Sequence, residues 1–227
     1  MFDGYLKTSV LGRGFEKGLW NYKLINIRDY SKEKHKKVDD TPFGGGSGMV
    51  MNAEVIANAI DNNCISGTKF YYMSPRGKLF NQKKVREIVQ LEDVAIICGH
   101  YEGVDQRVIE EYNIEEISLG DFVLTGGELP AMCIIDACVR CIDGVLGNNE
   151  SIIDESFGGL GGTCFDNLLE YPLYTKPQNW RNRTVPEVLI SGNHKKIEEW
   201  RLKKAEEITK ERRLDLWNEY IKSNKKQ

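Results

Sequence analysis

The chain has 227 residues, of which 41% are hydrophobic, 10% aromatic and 29% charged; this is enough apolar material for one sizeable core, or one core with a small satellite domain, and it excludes a disordered polymer. No apolar run approaches the length that spans a bilayer, and residues 1–10, which include Asp3 and Lys7, lack the apolar centre of an export signal, so a cytoplasmic protein with six reduced cysteines is expected. The net charge of −3 is unevenly spread: residues 1–167 hold 17 Lys and Arg against 25 Asp and Glu, and residues 168–227 hold 14 against 9, a basic C-terminal part that suits contact with nucleic acid and equally suits a solvated, lysine-rich helix.

In chain order, residues 22–28 (YKLINIR) alternate as a strand does. Residues 52–62 suit a helix with Val55, Ile56, Ala59 and Ile60 on one face, and 69–73 (KFYYM) read as a short aromatic strand. Residues 81–91 suit a second helix with the stripe Val85, Ile88 and Val89. The unbroken apolar run 94–98 (VAIIC) reads as a strand buried on both faces. A short helix over 105–112, a strand over 114–118 and an apolar helix over 129–144 follow. This alternation predicts an α/β fold with a mostly parallel sheet over residues 1–147. Residues 148–167, glycine-rich and without periodicity, read as a linker or loop, and 168–227 as a small helical domain. In that domain Asn193 is placed to cap a helix over 193–209 carrying Ile197, Trp200 and Ile208; a last helix over 213–223 carries Leu214, Trp217, Tyr220 and Ile221.

Cys138 and Cys141 form a C-x-x-C, with Cys133 nearby, but His35, His100 and His194 are scattered, so thiols packed in an apolar helix are expected rather than a zinc site. Neither a dinucleotide fingerprint nor a phosphate-binding loop is present; Gly44 to Gly48 lacks the lysine that the latter needs. What stands out is that three successive strands run into loops mixing glycine with polar groups: Ser74 to Gly77, Gly99 to Asp105, and Leu119 to Pro130. In parallel sheets ligands bind outside the carboxyl ends of the strands, and glycine lets backbone approach them closely.

The blocks VDDTPFGGGSGM (38–49), YMSPRG (72–77), CGHYEGVDQRV (98–108), SLGDFVLTGGELPAM (118–132), GVLGNNES (144–151), ESF (155–157), YPLYTKP (171–177) and VPEVLISGNHKKIEEWR (185–201) occur in order over nearly the whole chain. In these blocks the sequence resembles the bacterial tRNA (guanine-N1)-methyltransferases of the SPOUT superfamily. The resemblance implies a trefoil-knotted parallel sheet with a small C-terminal helical domain. It also implies a homodimer with its active site at the subunit interface, use of S-adenosyl-L-methionine, and methylation of N1 of the guanosine immediately 3′ of the anticodon of tRNA. By motif match it assigns Tyr72, Ser74, Gly99, Tyr101, Glu102, Ser118, Leu119, Gly120, Leu124, Gly126, Gly127 and Pro130 to the cofactor. Arg140 corresponds to the family's catalytic arginine, and Glu155 to its catalytic carboxylate, usually an aspartate, with Asp154 beside it as the alternative. Some members need magnesium; Asp39, Asp40 and Glu102 are candidates to hold it, although their spacing is no metal signature.

Phosphate contacts are expected from Lys176, Arg181, Arg183, Lys195, Lys196 and Arg201, with Lys36 and Lys37 opposite. Ser47 replaces a usual proline and Leu173 a usual histidine. Family members carry an apolar strand upstream of the position of Met1, so either an upstream start or a less stable protein is expected. Two alternatives remain open: another RNA methyltransferase of the superfamily, and a non-catalytic RNA-binding protein with a vestigial cofactor fold.

Overall fold

The computed structural model of the protein describes residues 1–147 and 155–224. The chain divides into two compact units, Met1–Gly147 and Asn148–Gln227.

The first unit opens with two helices, α1 (Phe2–Leu6) and α2 (Ser9–Glu16), whose Leu6 and Leu11 are buried against Val139 and Val145. The expected strand over 22–28 does not form: residues 21–26 are irregular and Ile27–Tyr30 is a 3-10 turn capped by the Asn26 side chain. Leu24 and Ile25 stay exposed, so the alternation there reflects no buried face. Two short strands, β1 (Asp39–Asp40) and β2 (Val50–Met51), pair antiparallel. Helix α3 (Ala53–Asn63) then buries Val55, Ile56, Ala59 and Ile60, the face its periodicity predicts, with the Asn52 side chain as N-cap.

A parallel sheet follows: β3 (Lys69–Leu79) lies between β4 (Val94–Ile97) and β5 (Glu115–Ser118). Parallel neighbours need crossover connections, and α4 (Gln82–Val89) and α5 (Gln106–Glu111) lie on them. Side chains of β3 alternate between two cores. Tyr71 and Met73 meet Val85 and Ile88 of α4 and Ala131, Ile134 and Cys138 of α6 (Glu128–Val139). Tyr72 meets Ile56 and Ile60 of α3 and Val108 and Ile109 of α5.

Three sequence expectations are corrected. β3 does not stop at Met73; after a register shift between Met73 and Lys78 it pairs with β5 again up to Leu79. β4 is not buried on both faces: Val94 is exposed and the rest half-buried, because β4 has a strand partner on one side only among the described residues. Helix α6 ends at Val139 rather than near 144, where the N–H groups of Cys141 and Ile142 turn to the carbonyls three residues back before Gly144 adopts a positive φ. Cys138 and Cys141 are buried core thiols, and the six cysteines are free.

In the second unit, Phe165, Leu168 and Tyr171 pack on Ala205 of α8 (His194–Arg212) and Tyr220 of α9 (Leu214–Asn224). Asn193 caps α8 by accepting the Lys196 N–H. The buried stripe of α8 is centred on Ala205 and Thr209, with Ile197, Trp200 and Ile208 only half-buried, and Leu214 is exposed. The chain is not purely helical after Pro177: β6 (Asn179–Trp180) and β7 (Arg183–Thr184) form a hairpin before the short α7 (Glu187–Ile190).

Thr209 is fully buried; its hydroxyl donates to the Ala205 carbonyl at 2.7 Å and accepts the Leu169 N–H at 2.8 Å, fastening the irregular segment to α8. Thr209→Val preserves shape and orphans that amide, so it is expected to lower stability by about 1–3 kcal/mol in denaturant unfolding followed through Trp200 and Trp217, with Thr209→Ser costing less.

Candidate active site

One cavity lies at the carboxyl ends of the three parallel strands. It is lined from β3 by Tyr72 and Ser74, from the loop after β4 by Gly99, Tyr101 and Glu102, from the end of β5 and the loop after it by Ser118, Leu119, Gly120, Leu124, Gly126 and Gly127, and from the first turn of α6 by Pro130. All twelve residues singled out in the sequence thus converge on it. His100, Phe122, Val123 and Thr125 line it as well.

The loops close on one another because two positions lack a side chain. The Gly127 N–H donates to the Gly99 carbonyl at 2.9 Å, and a Cβ on Gly127 would lie 2.7 Å from both the Cys98 Cα and the Gly99 nitrogen. Backbone cannot yield as a flexible side chain can. A Cβ on Gly99 would meet the Tyr72 ring at 2.6 Å, so this tyrosine forms the floor under the second loop. Tyr72 is buried, and burial raises its phenol above the usual range. The third loop is folded by Ser118, whose hydroxyl accepts the Gly120 N–H at 3.1 Å, and Gly120 itself sits at φ +158. Gly77 performs the same service outside the cavity: a Cβ there would lie 2.4 Å from the Glu116 carbonyl carbon, and its absence lets the bulged end of β3 press on β5.

A clasp missed in the sequence joins the second and third loops. His100 Nε2 and Glu128 Oε1 are 2.6 Å apart, with Glu128 heading α6 directly after Gly127. Nothing in the sequence pairs a histidine in one loop with a glutamate after another; only the fold brings them together. The glycine loop 44–48 meets the site through Glu102: the Glu102 N–H donates to the Met49 carbonyl, and a Cβ on Gly48 would lie 2.4 Å from Glu102 Oε1.

Arg140 is the half-buried C-cap residue of α6, in the first unit. Glu155 belongs to the second unit, half-buried at the start of a 3-10 turn over Ser156–Gly158; its neighbours are fixed by the Phe157 N–H donating to Leu168 and the Glu170 N–H donating to Ser156 Oγ. Asp154 lies outside the described residues. Of the magnesium candidates, Asp40 is committed to Lys37 at 2.8 Å, whose hydrogen bond lowers its pKa; among the described residues no group of three or more His, Cys, Asp or Glu side chains is arranged to hold a metal. The expected cations also sort themselves. Lys36 and Lys37 are ion-paired with Asp29 and Asp40, and Arg201 packs its guanidinium over the Tyr171 ring at 4.8 Å. Lys176, Arg181, Arg183, Lys195 and Lys196 are exposed.

The family profile described as tRNA (Guanine-1)-methyltransferase TrmD matches residues 1–219. The chain belongs to the tRNA (guanine-1)-methyltransferase family. Three relatives carrying the name tRNA (guanine-N(1)-)-methyltransferase illustrate its place there. The protein of Wolbachia pipientis wMel is 49% identical over 95% of this chain and 90% of its own length. That of Pelagibacter ubique is 47% identical over 98% and 94%. That of Clostridioides difficile is 49% identical over 100% and 95%. As a member of the family, the chain presents in one cavity the residues that its resemblance to the family marks. No helix among the described residues is long and apolar enough to cross a membrane.

Cys98, directly after β4 and before Gly99, has its thiol pushed up to about 12 by burial, with the Glu128 charge adding to the effect; burial pushes Cys138 up to about 12 as well. A raised pKa keeps both as thiols at neutral pH. Alkylation of the folded protein at about pH 8 is therefore expected to modify the exposed Cys133 and Cys164 first and Cys98 and Cys138 last, read by peptide mass mapping; early modification of Cys98 would contradict this.

Proposed function

We propose that the protein methylates N1 of the guanosine immediately 3′ of the anticodon in tRNA, with S-adenosyl-L-methionine as methyl donor. The convergence of twelve family-marked residues on one glycine-lined cavity supports this assignment. The cavity suits the donor: Gly99, Gly120, Gly126 and Gly127 present backbone groups without side chains, Tyr72 gives an aromatic floor, and Leu119 and Leu124 add apolar surface. When bound, S-adenosyl-L-methionine supplies a methyl group already activated on a sulfonium, so no covalent enzyme intermediate is required.

The remaining work falls to the chain. Guanine N1 carries a proton at neutral pH and is a poor nucleophile until it leaves. With the donor bound, Glu155 would take that proton, while the sulfonium would supply the methyl group to N1 and keep the electron pair of the broken bond. Arg140 stabilises the negative charge that shifts toward O6. The cavity walls would hold the donor so that its methyl group could be presented to N1. Asp154 is the alternative base. Among the described residues no group of three or more His, Cys, Asp or Glu side chains is arranged to hold magnesium.

The same family reading proposes a trefoil knot in the first unit, a second unit that binds tRNA, a cytoplasmic location, and a homodimer completing the site. Phe122 and Val123 at the cavity rim, 55% and 82% exposed, are apolar surface that a second copy would cover.

Incubation with labelled donor and unmodified tRNA bearing guanosine 3′ of the anticodon is expected to label the RNA, and tRNA with adenosine at that position is expected to stay unlabelled. Arg140→Ala and Glu155→Gln are each expected to slow transfer by about 100-fold or more. Equal rates for wild type and both variants would contradict the site assignment.

A further inference from the structure

The hairpin of the second unit carries a feature that cofactor binding and methyl transfer leave unused. Trp180 is 56% exposed, the most exposed of the four tryptophans. The Arg181 guanidinium lies over its ring at 4.9 Å from the centroid. Across the hairpin Trp180 is paired with Arg183, and directly opposed residues share a face of the ladder. Arg181 and Asn182 form the turn, both at positive φ, the two-residue geometry whose twist matches the strands.

Some cations of the unit are engaged within the protein, and those of the hairpin are not paired with an acid among the described residues. Lys204 is paired with Glu207, Arg213 with Asp215, and Arg201 is folded onto Tyr171. Arg181, Arg183 and nearby Lys176 have no carboxylate partner among the described residues. A large indole left in water, with one face under a guanidinium and unneutralised cations on the same small element, is the chemistry that takes an unstacked nucleobase and its flanking phosphates.

We propose that Trp180 is a nucleobase-stacking platform for a single-stranded segment of the RNA substrate, with Arg181 completing the stack and Arg183 and Lys176 meeting the adjacent phosphates. This rests on the tRNA-methylating function proposed above. The occupant is RNA because stacking needs a π-face and the cations need phosphates; an anionic membrane supplies the second without the first.

The test measures binding of the full chain to the unmodified tRNA and to its isolated anticodon stem-loop by fluorescence anisotropy over a salt series. Trp180→Ala and Trp180→Leu are expected to raise Kd by about 5- to 100-fold, with Trp180→Phe losing less. The slope of log K against log salt is expected to stay unchanged in the Trp180 variants and to fall by about one in Arg183→Gln, since a stack releases no counterion and a phosphate contact does. Cofactor affinity should be unchanged in all of them, which also reports that the first unit is folded; circular dichroism checks the second. Wild-type affinity in both Trp180→Ala and Trp180→Leu would overturn the platform. So would loss of binding to anionic lipid vesicles with RNA binding intact, which would assign the pair to a membrane surface. If wild type binds the RNA yet transfers no methyl group, the functional proposal fails, and the platform is still decided by the Trp180 comparison.

Discussion

The first unit depends on the backbone contact between the loops that leave β4 and β5. Gly127 donates to the Gly99 carbonyl, and the two chains approach until a single added carbon would lie 2.7 Å from main-chain atoms. That contact sets where α6 begins, because Gly127 is its N-cap and Glu128 its first residue. It therefore also sets where Arg140 stands at the other end of the same helix. The His100–Glu128 pair reinforces it from the side-chain level, and Tyr72 supports it from below. A ligand cavity and a helix bearing a candidate catalytic cation are thus tied to one pair of glycines.

The cavity was legible in the sequence because its signals are local. Each strand is a short apolar or aromatic run, and each is followed at once by glycine and polar residues, so the loops announce themselves one by one. Helix α3 was legible for a similar reason: four apolar residues at helical spacing behind an asparagine cap. What was not legible depends on partners distant in the chain. Nothing in VAII says that, among the described residues, β4 has a strand on one side only, and nothing in YKLINIR says that none of the described strands pairs with it. The His100–Glu128 clasp spans 28 residues and appears only once parallel strands bring their carboxyl ends together. The buried stripe of α8 is not legible either, because Ala205 and Thr209 turn inward to meet Leu168, Tyr171 and the Leu169 N–H, partners far away in the chain, while the larger Ile197, Trp200 and Ile208 stay half-buried.

The second unit follows a different economy. Its core is small, centred on Phe165, Leu168, Tyr171, Ala205 and Tyr220, and some of its cations are neutralised internally, in the pairs Lys204–Glu207 and Arg213–Asp215. The basic excess of residues 168–227 is therefore less informative than the distribution of its unpaired cations, which include those on the β6–β7 hairpin beside an exposed indole. The two units carry different chemistry: one offers a glycine-lined cavity, the other aromatic and cationic surface together with Glu155.

The claim on which everything else stands is that bare backbone at the rim of the sheet receives the methyl donor. Calorimetric titration of the intact protein with S-adenosyl-L-methionine tests it most directly. The account predicts saturable binding to the wild type and loss of that heat in Gly127→Ala, with circular dichroism showing the helices retained. Unchanged affinity in a folded Gly127→Ala protein, or no heat with the wild type, would contradict it.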